Sequence, residues 1–112
     1  MKHIIAVIRP EKLDDVRQAL EKVGYSGLMI SEIEGHGNQK GIVQQWRGEK
    51  YKVDLISKLK LEVIVKDNEA ELIKKTIIDK ARTGEIGDGK IFVSHIDEVV
   101  RIRTGEEGEA AL

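Results

Sequence analysis

The sequence predicts an α+β fold of the ferredoxin-like kind, a double βαβ sandwich with two helices on one face of an antiparallel sheet. Three observations lead there. Apolar β-type runs and amphipathic helical stretches follow one another in the order β-α-β-β-α-β. The run Lys58–Lys66 alternates, with Leu59, Leu61, Val63 and Val65 set against Lys58, Lys60 and Glu62, the period of a strand with one face in a core. Two further stretches repeat apolar residues at steps of three and four, as helices lying on a sheet do. A chain of 112 residues, 40% hydrophobic, suits one domain, 1–112, with a modest core.

His3–Arg9 is a short apolar run and reads as a buried strand. Pro10 is placed for the first turn of a helix, whose stripe is Leu13, Val16, Leu20 and Val23 and whose end is Gly24. Glu11, Asp14 and Asp15 lie early in it, where the helix dipole favours carboxylates. Leu28–Glu34 is the second strand and Lys58–Lys66 the third. Asn68 with Glu71 reads as a capping box. Ala70, Ile73, Ile77 and Ala81 form the second stripe, closed by Gly84. Thr83–Lys90 is a tight glycine loop, Ile91–Ile96 the fourth strand, and Thr104–Leu112 a charged, partly mobile tail. The sheet face without helices carries apolar positions and is expected to be covered by self-association.

Composition sets limits. Nineteen basic against twenty acidic residues leave a net charge of −1, no global attraction to nucleic acid or anionic membrane. The chain has no Cys, hence no disulfide or thiolate chemistry. No apolar run reaches the ~18 residues of a membrane span, and no signal-peptide pattern opens the chain. The expected location is the cytoplasm, without insertion into a membrane.

Between the second and third strands runs Gly35–Lys60, with four of the eleven glycines, the only Trp and six basic residues. Excursions beyond ~12–15 residues in a small domain are usually functional. We expect a movable arm that touches a small ligand at its base and a protein partner at its tip. Trp46, beside Arg47 and Gly48, suits partner contact, although a packing role is the commoner use of Trp.

Several residues carry potential chemistry. Gly84, Gly87 and Gly89 around Asp88 and Lys90 can turn backbone N–H groups toward phosphate oxygens, with Lys90 adding charge; a plain helix-to-strand turn explains the same glycines. Arg101 and Arg103 stand two apart and would share a direction in extended chain, a pair suited to phosphate or simply a solvated edge. Gln39 and Lys58 could meet at the base of the arm, beside Mg²⁺ and a small dicarboxylate, or be merely exposed. His3, His36 and His95 have no metal-ligand spacing.

Taken together, IIAVIRPEKLDDVRQAL, GxGNQKG, RGEKYKVDL, KLKLEVIV, TGEIGDGKIFV and VVRIRTGE make the chain resemble the PII (GlnB/GlnK-type) nitrogen-regulatory signal proteins over nearly its whole length. The resemblance implies a homotrimer with nucleotide sites in the clefts between subunits, a T-loop at about 37–55, a B-loop at about 82–90 and a C-loop at about 101–106. It implies an ATP or ADP site at Met29, Gly35, His36, Gly37, Asn38, Gln39, Ile64, Gly87, Asp88, Gly89, Lys90, Arg101 and Arg103. The arginines would come from the C-loop side of the shared cleft. It implies a 2-oxoglutarate site at Gln39, Lys40, Gly41, Lys58, Ile86 and Gly87, with Gln39 helping to hold Mg²⁺. Trp46, Arg47 and Tyr51 would meet the partner, an ammonium transporter or a nitrogen-metabolism enzyme, which would recruit the protein to the inner face of the membrane. Tyr51 matches a tyrosine uridylylated in some relatives. Asn38, Met29, Trp46 and Ser57 depart from the frequent Arg, Thr, Tyr and Pro of the family; the first two bear on the choice between ATP and ADP.

Two other classes compete. A nucleotide hydrolase or phosphotransfer enzyme could use the same glycines and cations, but no general-base constellation is visible. RNA binding on a ferredoxin-like sheet needs stacking aromatics, and Phe92 is the only aromatic in any predicted strand.

Overall fold

The computed structural model describes residues 1–25, 27–36, 42–46, 49–53 and 55–112, with the backbone alone at 35–36, 42–46, 49–53 and 55–56. Strand β1, Lys2–Ile8, buries Ile4, Ala6 and Ile8 and leaves the residues between them half-buried, the two-residue period of a strand with one core face. Arg9 then takes an extended conformation (φ −64°, ψ 138°), as steric contact with the following Pro10 demands. A 3-10 turn at Pro10–Lys12 leads into helix α1, Leu13–Lys22. Val16 and Leu20 are buried, and Leu13 and Val23 pack on the core. Gly24, at φ +98°, ends the run in the left-handed region glycine enters without a Cβ penalty.

Strand β2, Met29–His36, follows, and β5, Leu55–Val65, is the long central strand. Leu59, Leu61, Val63 and Val65 of β5 are all buried, as their alternation predicts. Helix α2, Ala70–Ala81, presents Ala70, Ile73, Ile77 and Ala81 to the same core, and strand β6, Lys90–His95, closes the set. The sheet order is β2-β5-β1-β6, antiparallel at every pairing. With both helices on one face this is the expected ferredoxin-like α+β arrangement. At ~1.5–3 kcal/mol for each fully buried aliphatic side chain, this single core is the main stabilising term.

The structure corrects four expectations. The arm is not all loop. The β1–β5 ladder ends at Ile8↔Leu59, whereas the β2–β5 ladder continues from Ile33↔Lys58 to His36↔Leu55. Beyond it, β3 (Ile42–Trp46) and β4 (Glu49–Val53) pair as a separate antiparallel hairpin. Backbone groups that leave a sheet need partners, and the two feet of the arm supply them to each other. The second correction concerns the Asn68–Glu71 capping box, which does not form. Asp67–Glu69 make a 3-10 turn, so Asn68 lies inside a helical turn rather than at an extended N-cap, and α2 starts with no side-chain cap.

The third and fourth corrections lie at the C-terminus. Arg101 and Arg103 do not lie in extended chain, because the backbone reverses between them. Arg101 N–H donates to Glu106 O at 2.9 Å, and Gly105 N–H donates to Arg101 O at 2.7 Å. The segment expected to be mobile is instead held by a Val100↔Glu107 bridge and a 3-10 turn at Gly108–Ala111.

The open sheet face carries Ile5, Val7, Met29, Ile33, Ile64 and Phe92, with Met29 50% and Phe92 53% exposed. No helix among the described residues is long and apolar enough to cross a membrane.

Candidate functional site

The segment between α2 and β6 is built around one carboxylate. Asp88 Oδ2 accepts from the backbone N–H of Thr83 (2.9 Å) and Gly84 (2.8 Å), and Oδ1 accepts from the Thr83 hydroxyl (2.5 Å). These bonds draw the turn 83–88 into a closed ring. Gly84, Gly87 and Gly89 take φ of +91°, +101° and +105°, which frees the loop to reverse within a few residues. Gly89 is also pressed against β1: a Cβ built there would lie 1.7 Å from the Val7 carbonyl oxygen. The register explains the contact, because Lys90, the next residue, pairs with Val7.

A residue that the sequence did not single out completes the ring. Arg9 Nε donates to Asp88 Oδ1 at 3.0 Å, and Arg9 Nη2 donates to the Ile86 carbonyl at 3.0 Å. Beside it, Lys58 Nζ donates to the Gly87 carbonyl. Lys58 stands on β5 just past the last β1–β5 pair, so the ladder that forms the foot of the arm also sets this cation under the loop.

The electrostatics follow from these contacts. The Thr83 hydroxyl bond, with backbone donors from Gly84 and Thr83 and the Arg9 guanidinium, holds the Asp88 carboxyl well below the ordinary carboxylate range. Burial pushes the Lys58 ammonium down and neighbouring Arg9 adds to this, with Glu11 and Asp88 opposing. Two cations thus converge beneath the 86–88 peptides, and Lys90 and Arg82 stand exposed at the loop's ends. Behind the loop, Val7, Ile8, Ile77, Ile78, Ala81 and Ile91 floor a cavity of about 260 Å³, with Arg82, Asp88, Gly89 and Lys90 at its rim.

The structure brings Lys58, Ile86, Gly87, Asp88, Gly89 and Lys90 into one neighbourhood. Ile86 is 67% exposed. Met29 and Ile64 lie elsewhere, on the open sheet face, where Met29 pairs with Glu62 and Ile64 with His3. On that face His3 Nε2 is occluded without a hydrogen-bond partner, 4.0 Å from Glu62 Oε2. Arg101 Nη1 is paired with Glu106 Oε1 at 3.2 Å and Nη2 donates to the Ala110 carbonyl at 3.1 Å, whereas Arg103 is exposed on the turn. Gly35 and His36 are backbone members of the β2–β5 ladder, and Trp46 and Tyr51 of the β3–β4 hairpin. Gly37, Asn38, Gln39, Lys40, Gly41 and Arg47 lie outside the described residues.

Arg9 escaped sequence reading because nothing local marks it. It reads as the end of a strand before a proline, and its partner is 79 residues away.

Comparison with known proteins matches residues 1–106 to the family described as nitrogen regulatory protein P-II. The chain is similar to the nitrogen regulatory protein P-II 2 of Methanothermobacter thermautotrophicus, 51% identical over 112 residues, covering 100% of this chain and 97% of that protein. It is 52% identical to the nitrogen regulatory protein P-II of Haemophilus influenzae and 51% identical to the nitrogen regulatory protein P-II 1 of Escherichia coli K12, each over the full length of both chains. These relatives are named as regulatory proteins rather than as enzymes. Similarity of this extent means that the chain belongs to the nitrogen regulatory protein P-II family.

Proposed function

We propose that this chain is a nitrogen-regulatory sensor that binds ATP or ADP on the Thr83–Lys90 loop and 2-oxoglutarate beside Lys58. The observation that carries the reading is the loop itself: Gly87 and Gly89 at positive φ, braced from below, with Lys90 exposed at its edge. Such a loop offers backbone N–H groups and a cation to phosphate oxygens. The residues present fit an anion, because Arg9 and Lys58 lie under the loop, Lys90 stands at its edge, and the Asp88 charge is already engaged by the loop and Arg9. Lys58 would receive one carboxylate of 2-oxoglutarate. Gln39, Lys40 and Gly41 would complete that site, with Mg²⁺ held by Gln39 and ATP.

The working form is a homotrimer. The open sheet face supports this, with Met29 and Phe92 exposed and Ile33 and Ile64 half-buried beside them. In that assembly Arg101 and Arg103 of one subunit reach a neighbour's loop. Because Lys58 stands on the strand that forms the foot of the arm, a ligand there changes the populations of arm conformations through its differential affinity. Mg-ATP with 2-oxoglutarate withdraws the arm, with Trp46, Arg47 and Tyr51, from a cytoplasmic-side partner such as an ammonium transporter or a nitrogen-metabolism enzyme. ADP permits docking. Tyr51 is a candidate for uridylylation.

Calorimetric titration tests the reading. We expect 2-oxoglutarate to bind only when Mg-ATP is present. Lys58→Met should weaken 2-oxoglutarate by roughly 10- to 100-fold, the worth of a charged hydrogen bond, and weaken ATP by a smaller factor, since Lys58 also holds the Gly87 carbonyl. Absence of ATP and ADP binding to the wild-type protein would remove the proposal.

A further inference from the structure

We propose that Arg9 is a positioning residue: with Asp88 it sets the peptide orientations of the 86–88 turn that face the anion, and it does not itself contact that anion. The inference rests on the nucleotide reading for its ligand, but its geometry stands on the free protein.

The peptide planes carry the case. All peptide bonds here are trans, so the C=O and the N–H of one peptide point in opposite directions. The Ile86 carbonyl is held by Arg9 Nη2, so the Gly87 N–H on the same peptide points away from Arg9. The Gly87 carbonyl is held by Lys58, so the Asp88 N–H points away from Lys58. The Gly87 N–H is thereby turned outward, and no backbone carbonyl of the described loops accepts from it. An outward N–H at a tight glycine turn beside cations is a donor for an anion. Arg9 presents it by pulling the Ile86 carbonyl inward.

Asp88 then needs an account, since a carboxylate repels a phosphate. Ionised, it has about four acceptor positions. Thr83 N–H and Gly84 N–H fill one oxygen, and the Thr83 hydroxyl and Arg9 Nε fill the other. Asp88 therefore serves the loop and not the ligand, and Arg9 offsets its charge. The side chains of this pair are only 17% and 25% exposed. One planar guanidinium spans both attachment points, the residue 88 side chain and the residue 86 carbonyl, on either side of Gly87. A lysine ammonium at the same site has no such fork.

The experiment measures amide hydrogen exchange at Thr83 and Gly84 in the free protein and ATP affinity by calorimetry, in wild type, Arg9→Lys, Arg9→Met and Thr83→Val. We expect both arginine variants to accelerate exchange at the two amides and to weaken ATP, each by roughly tenfold, with melting of the core retained. Thr83→Val should move both readouts the same way by a smaller factor, and it decides the matter if the arginine variants do not fold. Wild-type behaviour in Arg9→Lys would overturn the proposal, because charge alone would then suffice. Weaker ATP with unchanged exchange would also overturn it, by making Arg9 a ligand contact. Faster exchange in a protein that binds no ATP would support the brace while removing the nucleotide reading.

Discussion

Gly89→Ala is the sharpest test of how the loop is anchored. The substitution adds one carbon at φ +105°, 1.7 Å from the Val7 carbonyl oxygen and 2.8 Å from its carbon. Left-handed backbone costs an L-residue about 1–2 kcal/mol. The contact adds more, because the obstacle is backbone. Val7 belongs to β1, which is paired on both sides, to Lys60 of β5 and Lys90 of β6, so β6 must shift and its bonds lengthen. We expect about 3–4 kcal/mol in total, near the upper end for single substitutions. Gly84→Ala is the matched control: its φ is +91°, but nothing lies within 4 Å of the added Cβ. It should cost only the conformational part, about 1–2 kcal/mol. Urea unfolding at one fixed protein concentration measures both, since association would otherwise shift the apparent stability. The midpoint should fall with an unchanged m-value. At about 4 °C per kcal/mol for a domain of this size, melting should drop by roughly 12–16 °C in Gly89→Ala. Equal losses in the two variants would refute the close approach of residue 89 to β1.

Three other outcomes follow from the structure. Asp88→Asn should lower stability through the neutral range. The Asp88 carboxyl is depressed in the folded protein, so its contribution is present above the unfolded value of about 3.9 and is lost as pH falls through the folded value. The deficit of the variant should therefore be constant from about pH 5 to 7 and narrow below about pH 4 in acid titrations followed by circular dichroism. Phe92→Glu places a charge on the open face, where Phe92 is 53% exposed opposite Ile5. Sedimentation velocity should show the assembly dissociating, and an unchanged trimer would contradict the proposed interface. Ile73→Ala empties a site that is fully buried and should cost about 2–5 kcal/mol in urea unfolding, against little effect for a change at the exposed Glu71.

Much of this architecture is written locally. The alternation of Lys58–Lys66 and the stripes of Val16–Leu20 and Ile73–Ile77 each name their buried face, and all of those faces are buried. Periods of two and 3.6 residues are set by backbone geometry alone, so a single pass along the chain reads them. The glycines of Thr83–Lys90 likewise announce a reversal, and all three take positive φ. Local signals failed where a competing contact came from elsewhere. Asn68 had the sequence of a cap, but the chain entered α2 through a 3-10 turn. Arg101 and Arg103 had the spacing of an extended pair, but the chain turns at 102–104 and Arg101 is held by Glu106 and the Ala110 carbonyl.

Residue types and their order were thus sufficient for the sandwich, its core and the presence of a glycine loop. Only the folded chain decided what holds that loop. The Arg9–Asp88 pair spans 79 residues and the Lys58–Gly87 contact spans 29. Such contacts are set by which strands lie side by side and in what register, a property of the assembled sheet that no stretch of the chain contains by itself.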